Sequence, residues 1–405
     1  MGRYIHYFKA ESDFQNQYNG ENYEEPWVSL TKDTVLVPEG RVDYNKDIER
    51  EENNLPNYQQ HLTFDVKDSG TVVWKRGWTS YTPSTIQYRM NGSEWFDISS
   101  DDTGVTIDVA AGDILRFRGS GLTSGSTFSG TTCKFDVRGN IMSLFGWDSF
   151  SGLTEIQTEE QFAYLFEYCT GLTASDKLSL PATTLSTGCY HGLFMYCSSL
   201  VDTPELPAET LAIKCYDNMF CGCASLTAAP ELVAMSIPAS AYSYMFSECT
   251  SLEVAPVLPA TAVGEASYYG MFMDSSVTGL TVLPAKSLGV RCYYGMFRDC
   301  TGLTEAPVLC ATTLQERCYY QMFYGCTSLV TAPDLKATST PLQCYYNMFY
   351  RCSSLNYLKI MVKTADFNAL GGGFLEGVSP TGTLVRPSGG ADSYGQPAGW
   401  TIVDA

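Results

Sequence analysis

Apolar residues in the second half of the chain recur in a fixed frame. The stretch CYYGMFRDCTGLTEAPVL, beginning at Cys292, returns as CYYQMFYGCTSLVTAPDL from Cys318 and as CYYNMFYRCSSLNYLKIM from Cys344. A looser version lies upstream, so that a central phenylalanine stands at Phe166, Phe194, Phe220, Phe246, Phe272, Phe297, Phe323 and Phe349, with spacings of 28, 26, 26, 26, 25, 26 and 26. A fixed period of this length marks a stack of repeats, each unit burying its apolar face only against its neighbours. At about 100° per residue, the positions five, four and one before the phenylalanine, the phenylalanine itself and the position three after it span an arc of about 140°. In one unit these are Cys292, Tyr293, Met296, Phe297 and Cys300, and the pattern predicts a short helix or helical turn buried on that side. The L-x-x-A-P-x-L run that follows reads as extended, because proline disfavours helix in the residue before it. Neighbouring copies are expected to pair as parallel strands, stacked about 4.8 Å apart.

Upstream, residues 58–145 alternate with period two. Leu62, Phe64 and Val66 share a face, as do Ile86, Tyr88 and Met90, then Val105, Ile107 and Val109, then Phe135 and Val137. Asn91-Gly92 is a hairpin signal, and Asp68-Ser69-Gly70 and Ala111-Gly112-Asp113 mark further turns. Strands at this spacing predict an all-β sandwich, with Gly139 to Leu144 as its last strand. Residues 364–405 lose the repeat and read as a C-terminal β cap of two strands around a Gly-rich loop, with Trp400 as a lid over the Phe349 layer. Residues 1–57 are aromatic and acidic. Tyr4 to Phe8 and Val28 to Leu30 could form short strands, Asp47 to Asn54 reads as a solvated linker, and the segment is expected to dock on its neighbour or on another chain.

The pattern M-F-x-x-C-[TS]-[SG]-L-x-x-A-P-x-L-P-A-T-x-L resembles that of BspA-like leucine-rich repeats, which occur in surface proteins of bacteria, notably gut Bacteroidales, and in phages and protists. It covers roughly residues 160–363, and eight registers agree. The resemblance implies an α/β solenoid, a parallel strand ladder with short helices over residues 146–363, used for binding and without catalytic residues. Ala241, Ser267 and Ser275 depart from the repeat cysteines, and Cys310 replaces the proline of P-A-T. Residues 58–145 resemble the Ig-like module that commonly precedes such repeats, where it is a spacer that caps the first unit. The segment YIHYF to VDYNK is similar to the leader of a group of Bacteroidales and phage proteins.

Charge and composition narrow the partners. Of 405 residues, 44 are acidic and 25 basic, a formal net charge of −19. No block of Lys or Arg could neutralise adjacent phosphates, so nucleic acid is excluded as a partner. No apolar run is long enough for membrane insertion. The opening MGRYIHYFKAESDF lacks the apolar core and cleavage site of a signal peptide, which predicts a protein outside the general secretory route. Twelve of the fifteen cysteines occupy the two repeat positions; cysteines eight apart on a helix lie about 12 Å from each other, too far to bridge. They read as small buried residues rather than disulfides or a metal site.

His6, His61 and His191 share no ligand or triad spacing, and no phosphate loop, zinc helix or nucleophile turn is present. No enzyme, cofactor or metal is therefore expected. The positions three before and one after the phenylalanine fall outside the buried arc and hold Tyr269, Tyr294 with Arg298, Tyr320 with Tyr324, and Tyr346 with Tyr350. Tyrosines at the edge of a buried arc can shield a core; they can also supply a recognition surface for protein or for the apolar faces of sugars. The inner strand face, with Glu253, Glu305 and Asp334, is the alternative surface. Taken with the resemblance, the expected protein is a phage virion surface component, such as a head fibre, decoration or tail-associated adhesin. It would recognise a host-surface glycan or protein, meet virion proteins through its N-terminal segment, and be open to homo-oligomer formation. The alternative location is the bacterial cell surface or the extracellular space.

Overall fold

The computed structural model describes residues 44–77, 85–98, 104–122 and 124–405. The expected strands at Tyr4 to Phe8 and Val28 to Leu30, and most of the 1–57 docking segment, lie outside these residues. The described part is mostly β with few helices, and its sheets do not close into a barrel.

The charge run at Asp47 to Asn54 is not a solvated linker. It belongs to α1 (Tyr44–Asn53), and Glu49 and Glu52, neighbours on one helix face at i, i+3, are buried. The reason lies in the sheet beneath. Strands β1 (Leu62–Val66), β2 (Gly70–Trp74), β3 (Thr85–Met90), β4 (Phe96–Asp97), β5 (Val105–Val109), β6 (Ile114–Ser120) and β7 (Phe135–Asn140) are joined by β8 (Leu172–Ser179) from the first repeat. One sheet has the order β4-β3-β6-β1-β7-β8, and β2 pairs with β5 in a second. Arg89 on β3 stands directly opposite Arg116 on β6, a like-charge pair that requires counter-charge. Arg116 is fully buried and lies 2.6 Å from Glu49 and 3.4 Å from Glu52, while Arg89 also pairs with Glu52.

The alternation read from sequence matches the burial of Ile107 and Val109, of Phe135 and Val137, and of Leu62, Phe64 and Val66. On β3, however, Ile86 is buried while Tyr88 and Met90 are only half-buried, and Arg89 is buried between them. Phe64, Phe117, Phe128 and Phe135 meet in the core, with Trp74 of the second sheet 4.9 Å from Phe128. Asn91 and Gly92 both take positive φ, 52° and 73°, and the Ser93 N–H donates to the Met90 carbonyl at 3.0 Å. That is the geometry of a two-residue hairpin turn. The expected strand Gly139 to Leu144 is cut short at Asn140 and turns into α2 (Ser143–Gly146). There the Asn140 side chain takes the Met142 N–H, and the Ser143 hydroxyl donates to Phe117 and accepts from Leu62. Side chains have replaced the ladder.

The short helix expected in each repeat does not form, which corrects the α/β reading. In its place runs a series of turns with a left-handed residue every fourth position: Arg291, Gly295 and Asp299 at φ of 56°, 55° and 57°, then Arg317, Gln321 and Gly325 in the next unit. The N–H groups of Arg291, Tyr293, Gly295, Phe297 and Asp299 donate across to the following unit at 2.7–3.0 Å. Those of Cys292, Tyr294, Met296 and Arg298 turn back to the residue three before. Over this short stretch a four-residue period and a 3.6-residue period place the same five positions on one side. The buried set is therefore the expected one, on a different backbone: Cys292, Tyr293, Met296, Phe297 and Cys300 are at most 1% exposed.

Unit stacks on unit in register. The central phenylalanines form one column with centroids 5.4–5.8 Å apart. A second column runs from Tyr190 through Tyr216, Tyr242, Tyr268, Tyr293 and Tyr319 to Tyr345, at 5.6–5.9 Å. Pairing on the extended sides is parallel but fragmentary. It comprises β9 (Ser236–Ile237), β10 (Ala262–Val263) and β12 (Ser287–Leu288), then β11 (Val282–Leu283) with β13 (Val308–Leu309), and bridges such as Glu305 to Thr331. The proline of each A-P has no N–H to give to a ladder.

Both ends of the stack are covered. Phe166 stacks on Phe128 at 5.7 Å, and β8 carries the first sheet across the junction at residue 145. At the far end α3 (Phe367–Leu370) continues the last unit, its Asn368, Ala369 and Leu370 carbonyls accepting from Gln343, Tyr345 and Asn347. The strands β14 (Tyr357–Lys359), β15 (Thr381–Arg386) and β16 (Gly399–Asp404) form a parallel sheet beside it. The ring that meets Phe349 is Phe374, edge-on at 5.6 Å. Trp400 packs beside Gly382 and donates to the Ser379 carbonyl at 2.8 Å, so it is not the expected lid.

Candidate functional site

Each run of turns fully buries two positions in four, and of the other two the same position in successive units forms a row, half-buried in the later units. The position three before the phenylalanine holds Tyr269, Tyr294, Tyr320 and Tyr346, all half-buried. Their rings stack nearly parallel, at 4.4 Å, 4.4 Å and 5.0 Å between centroids. The position one after it forms a neighbouring row, in which Arg298 lies 4.8 Å over the Tyr324 ring and Tyr324 stacks on Tyr350 at 4.9 Å. The seven expected residues thus fall into two lines, one on each side of the middle left-handed residue.

Stacking decides what these lines can offer. A sugar that packs on an aromatic ring needs an open ring face, and within the row the faces are covered by neighbouring tyrosines. What remains outward is ring edges and hydroxyls. The hydroxyls of Tyr269, Tyr294 and Tyr320 interact in sequence along the row, and Tyr244, one position away from the row in its own unit, meets Tyr269 at its start. Burial pushes the Tyr269 phenol up to about 12, with Tyr244 adding to the effect, and raises Tyr294 and Tyr320 for the same first reason. The phenols stay protonated near neutrality and act as both donors and acceptors.

No protein-family model matches this chain, and no curated protein matches it. Among solved structures it is similar to a leucine-rich repeat protein from Eubacterium ventriosum ATCC 27560, at 13% identity and a TM-score of 0.30, over 60% of this chain and 90% of that one.

Three residues that the helical angles did not single out complete the tyrosine row. Arg291, Arg317 and Gln343 stand six before the phenylalanine and, with Tyr269, Tyr294 and Tyr320, line an open cleft of about 490 Å³. Arg317 donates to Gln343 Oε1 at 2.6 Å. A signal for the turns was present in the sequence: Gly or Asn stands two before the phenylalanine at Gly192, Asn218, Gly270, Gly295 and Asn347. Such residues are poor in a helix interior and favoured where φ is positive. Either period, 3.6 or four, puts the position six before the phenylalanine outside the buried arc, at about 120° on helical angles and beside the tyrosine positions.

The row continues toward the N-terminus with different chemistry. His191, Asp217 and Ser243 hold the same position in the earlier units. Tyr164 Oη is 3.0 Å from His191 Nε2, which is 3.7 Å from Asp217 Oδ2. Burial, opposed by Lys214 and by hydrogen bonds from Ser243 and Asn218, leaves the Asp217 carboxyl raised to about 6; burial also lowers His191. Asp217 lies between the histidine and the serine, so the imidazole is not placed to take a proton from Ser243.

Among the described residues no group of three or more His, Cys, Asp or Glu side chains could hold a metal ion, and no helix is long and apolar enough to cross a membrane. The fifteen cysteines are free, and all but Cys310 are buried. Glu253, Glu305 and Asp334 on the extended side are exposed, with Asp334 3.6 Å from Lys359.

Proposed function

We propose that the chain is a non-catalytic binding and adhesion protein. A BspA-like leucine-rich repeat solenoid presents the tyrosine and arginine rows as its recognition surface, and the β region before it acts as an Ig-like spacer and cap. The observation that carries this reading is the unbroken row Tyr269, Tyr294, Tyr320 and Tyr346, half-buried and stacked, on a backbone whose units are hydrogen-bonded to one another. Such side chains have lost their rotamer freedom before a partner arrives, so little entropy opposes binding. The resemblance of the repeats and of the leader to phage and Bacteroidales proteins supports a place on the virion surface, as a head fibre, decoration or tail-associated adhesin that meets a host-surface glycan or protein.

Binding of the labelled full chain to host cells tests the surface. The Tyr294→Ala/Tyr320→Ala double variant, checked for folding by circular dichroism, is expected to lose at least about tenfold in affinity, the scale of a central aromatic contact. Undiminished binding would remove the row from the function. Mass spectrometry of purified particles and of washed host cells tests the setting: peptides of this chain in particles are expected, whereas peptides on cells alone would place it on the bacterial surface.

A further inference from the structure

Resting on that reading, we infer that the cleft along the tyrosine row recognises an acidic polysaccharide, with carboxylates met by Arg291 and Arg317 and hydroxyls met by the phenols. The chain carries 44 acids against 25 bases, yet the cleft is lined by two arginines, three tyrosines and a glutamine, with no acid among them. The arginines occupy successive units, so two charges stand one repeat apart along the row. Their acidic partners hold them weakly: Arg291 is 3.4 Å from Glu265 and Arg317 2.8 Å from Glu316, with 61% and 40% of the two glutamate side chains exposed. The further contact of Arg317, to Gln343, is neutral and leaves its charge unmatched. Exposed pairs of this kind are worth little, so an incoming carboxylate can take over the guanidinium. The negative charge of the whole chain repels a polyanion at a distance, but beyond about 8 Å that repulsion is screened at physiological salt.

The spacing argues against an extended peptide. Groups in the row recur once per unit, close to the ~4.8 Å separation of paired strands, whereas an extended peptide advances about 3.3 Å per residue and falls out of step. A chain of pyranose rings brings several hydroxyls and, in a uronate, one carboxylate per ring. With the tyrosine faces closed by stacking, recognition runs through hydrogen bonds and charge at the ring edges.

Polygalacturonate immobilised on a biosensor is the probe, and the full chain is the analyte. Binding is expected to weaken as salt is raised from low to physiological levels. It is expected to fall at least about tenfold on the methyl-esterified polymer and on polyglutamate. The Arg291→Gln/Arg317→Gln variant is expected to lose at least about tenfold, as when one side of a charge pair is removed. Tyr294→Phe/Tyr320→Phe keeps the stack and is expected to lose several-fold. Equal binding to the ester, equal binding to polyglutamate, or indifference to both variants would overturn the inference. Row-dependent adhesion to host cells without polygalacturonate binding would overturn this inference alone; absence of adhesion would overturn the proposed function itself.

Discussion

At the scale of single residues, the repeat cysteines do work that their size alone does not explain. Cys326 Sγ donates to the Phe297 carbonyl one unit earlier at 3.0 Å, and Cys197, Cys223, Cys249, Cys300 and Cys352 repeat the contact. Ser275, in the same column, turns instead to the Phe272 carbonyl of its own unit at 2.7 Å. Burial pushes the Cys300 and Cys352 thiols up to about 12, and a thiol that stays protonated is a poor nucleophile. Titration with a thiol reagent should label at most Cys310 in the native protein and all fifteen cysteines in denaturant. Asp217 carries a second prediction. Its folded pKa of about 6 exceeds the ordinary 3.8, so the folded state binds more protons and stability falls as pH rises between those values. Asp217→Asn is expected to match the parent below pH 4 and to gain up to about 3 kcal/mol above pH 6, read by thermal unfolding at the two ends.

At the scale of elements, α1 is held by charge where apolar packing would be usual. Burial acts to raise the Glu52 carboxyl, but the His61 hydrogen bond and the charges of Arg116, His61 and Arg89 outweigh it and hold it at about 2. Asp148 is held at about 2, first by its hydrogen bond to His61 and then by Arg118. Both carboxylates contribute stability above their unfolded pKa and lose it as pH falls toward 2. His61 runs the other way: burial opposes its charge, Asp148 and Glu52 favour it more, and its contribution is lost as pH rises through its raised pKa. Glu52→Gln should cost about 3 kcal/mol at neutral pH by chemical denaturation, with the difference closing as pH nears 2. The helix was concealed in the sequence because Glu49 and Glu52 read as solvated charge until Arg89 and Arg116, far along the chain, are known to face them. The repeat turns were concealed differently. The buried face of Cys292 to Cys300 was legible, since burial depends on which side a residue takes, but two backbones share that periodicity and only the glycines and asparagines at positive φ tell them apart. Arg291 and Arg317 lie outside that face on either backbone; what the angles do not tell is that they join the tyrosines in one cleft.

At the scale of the whole molecule, a stack in which each unit touches only its neighbours is most exposed at its ends. Phe374 covers the last phenylalanine, and Phe128 with Phe64 covers the first. Phe374→Ala should remove about 3–5 kcal/mol of local stability. Amide hydrogen exchange is expected to rise in the units of Phe323 and Phe349 and to leave the unit of Phe194 unchanged; uniform acceleration along the chain would mean that the stack unfolds as one piece. The period and the alternating strands with their hairpin turn were visible in sequence. The rings that close each end were less so: Phe128 lies outside the repeating frame, and Phe374, although 25 residues after Phe349, sits in a GGGFLEG segment that has lost the rest of the repeat.

The cross-unit donors of the turn runs all point the same way. From Arg291 to Glu316, from Tyr293 to Cys318 and onward, each N–H faces the later unit and each carbonyl the earlier one. Aligned peptide dipoles add, as they do along a helix, and here the sense relative to the chain is the reverse of a helix. The turn-bearing face therefore behaves as an electrical rod with its positive pole toward the C-terminus, and each further repeat inserted would lengthen the rod without changing its sign.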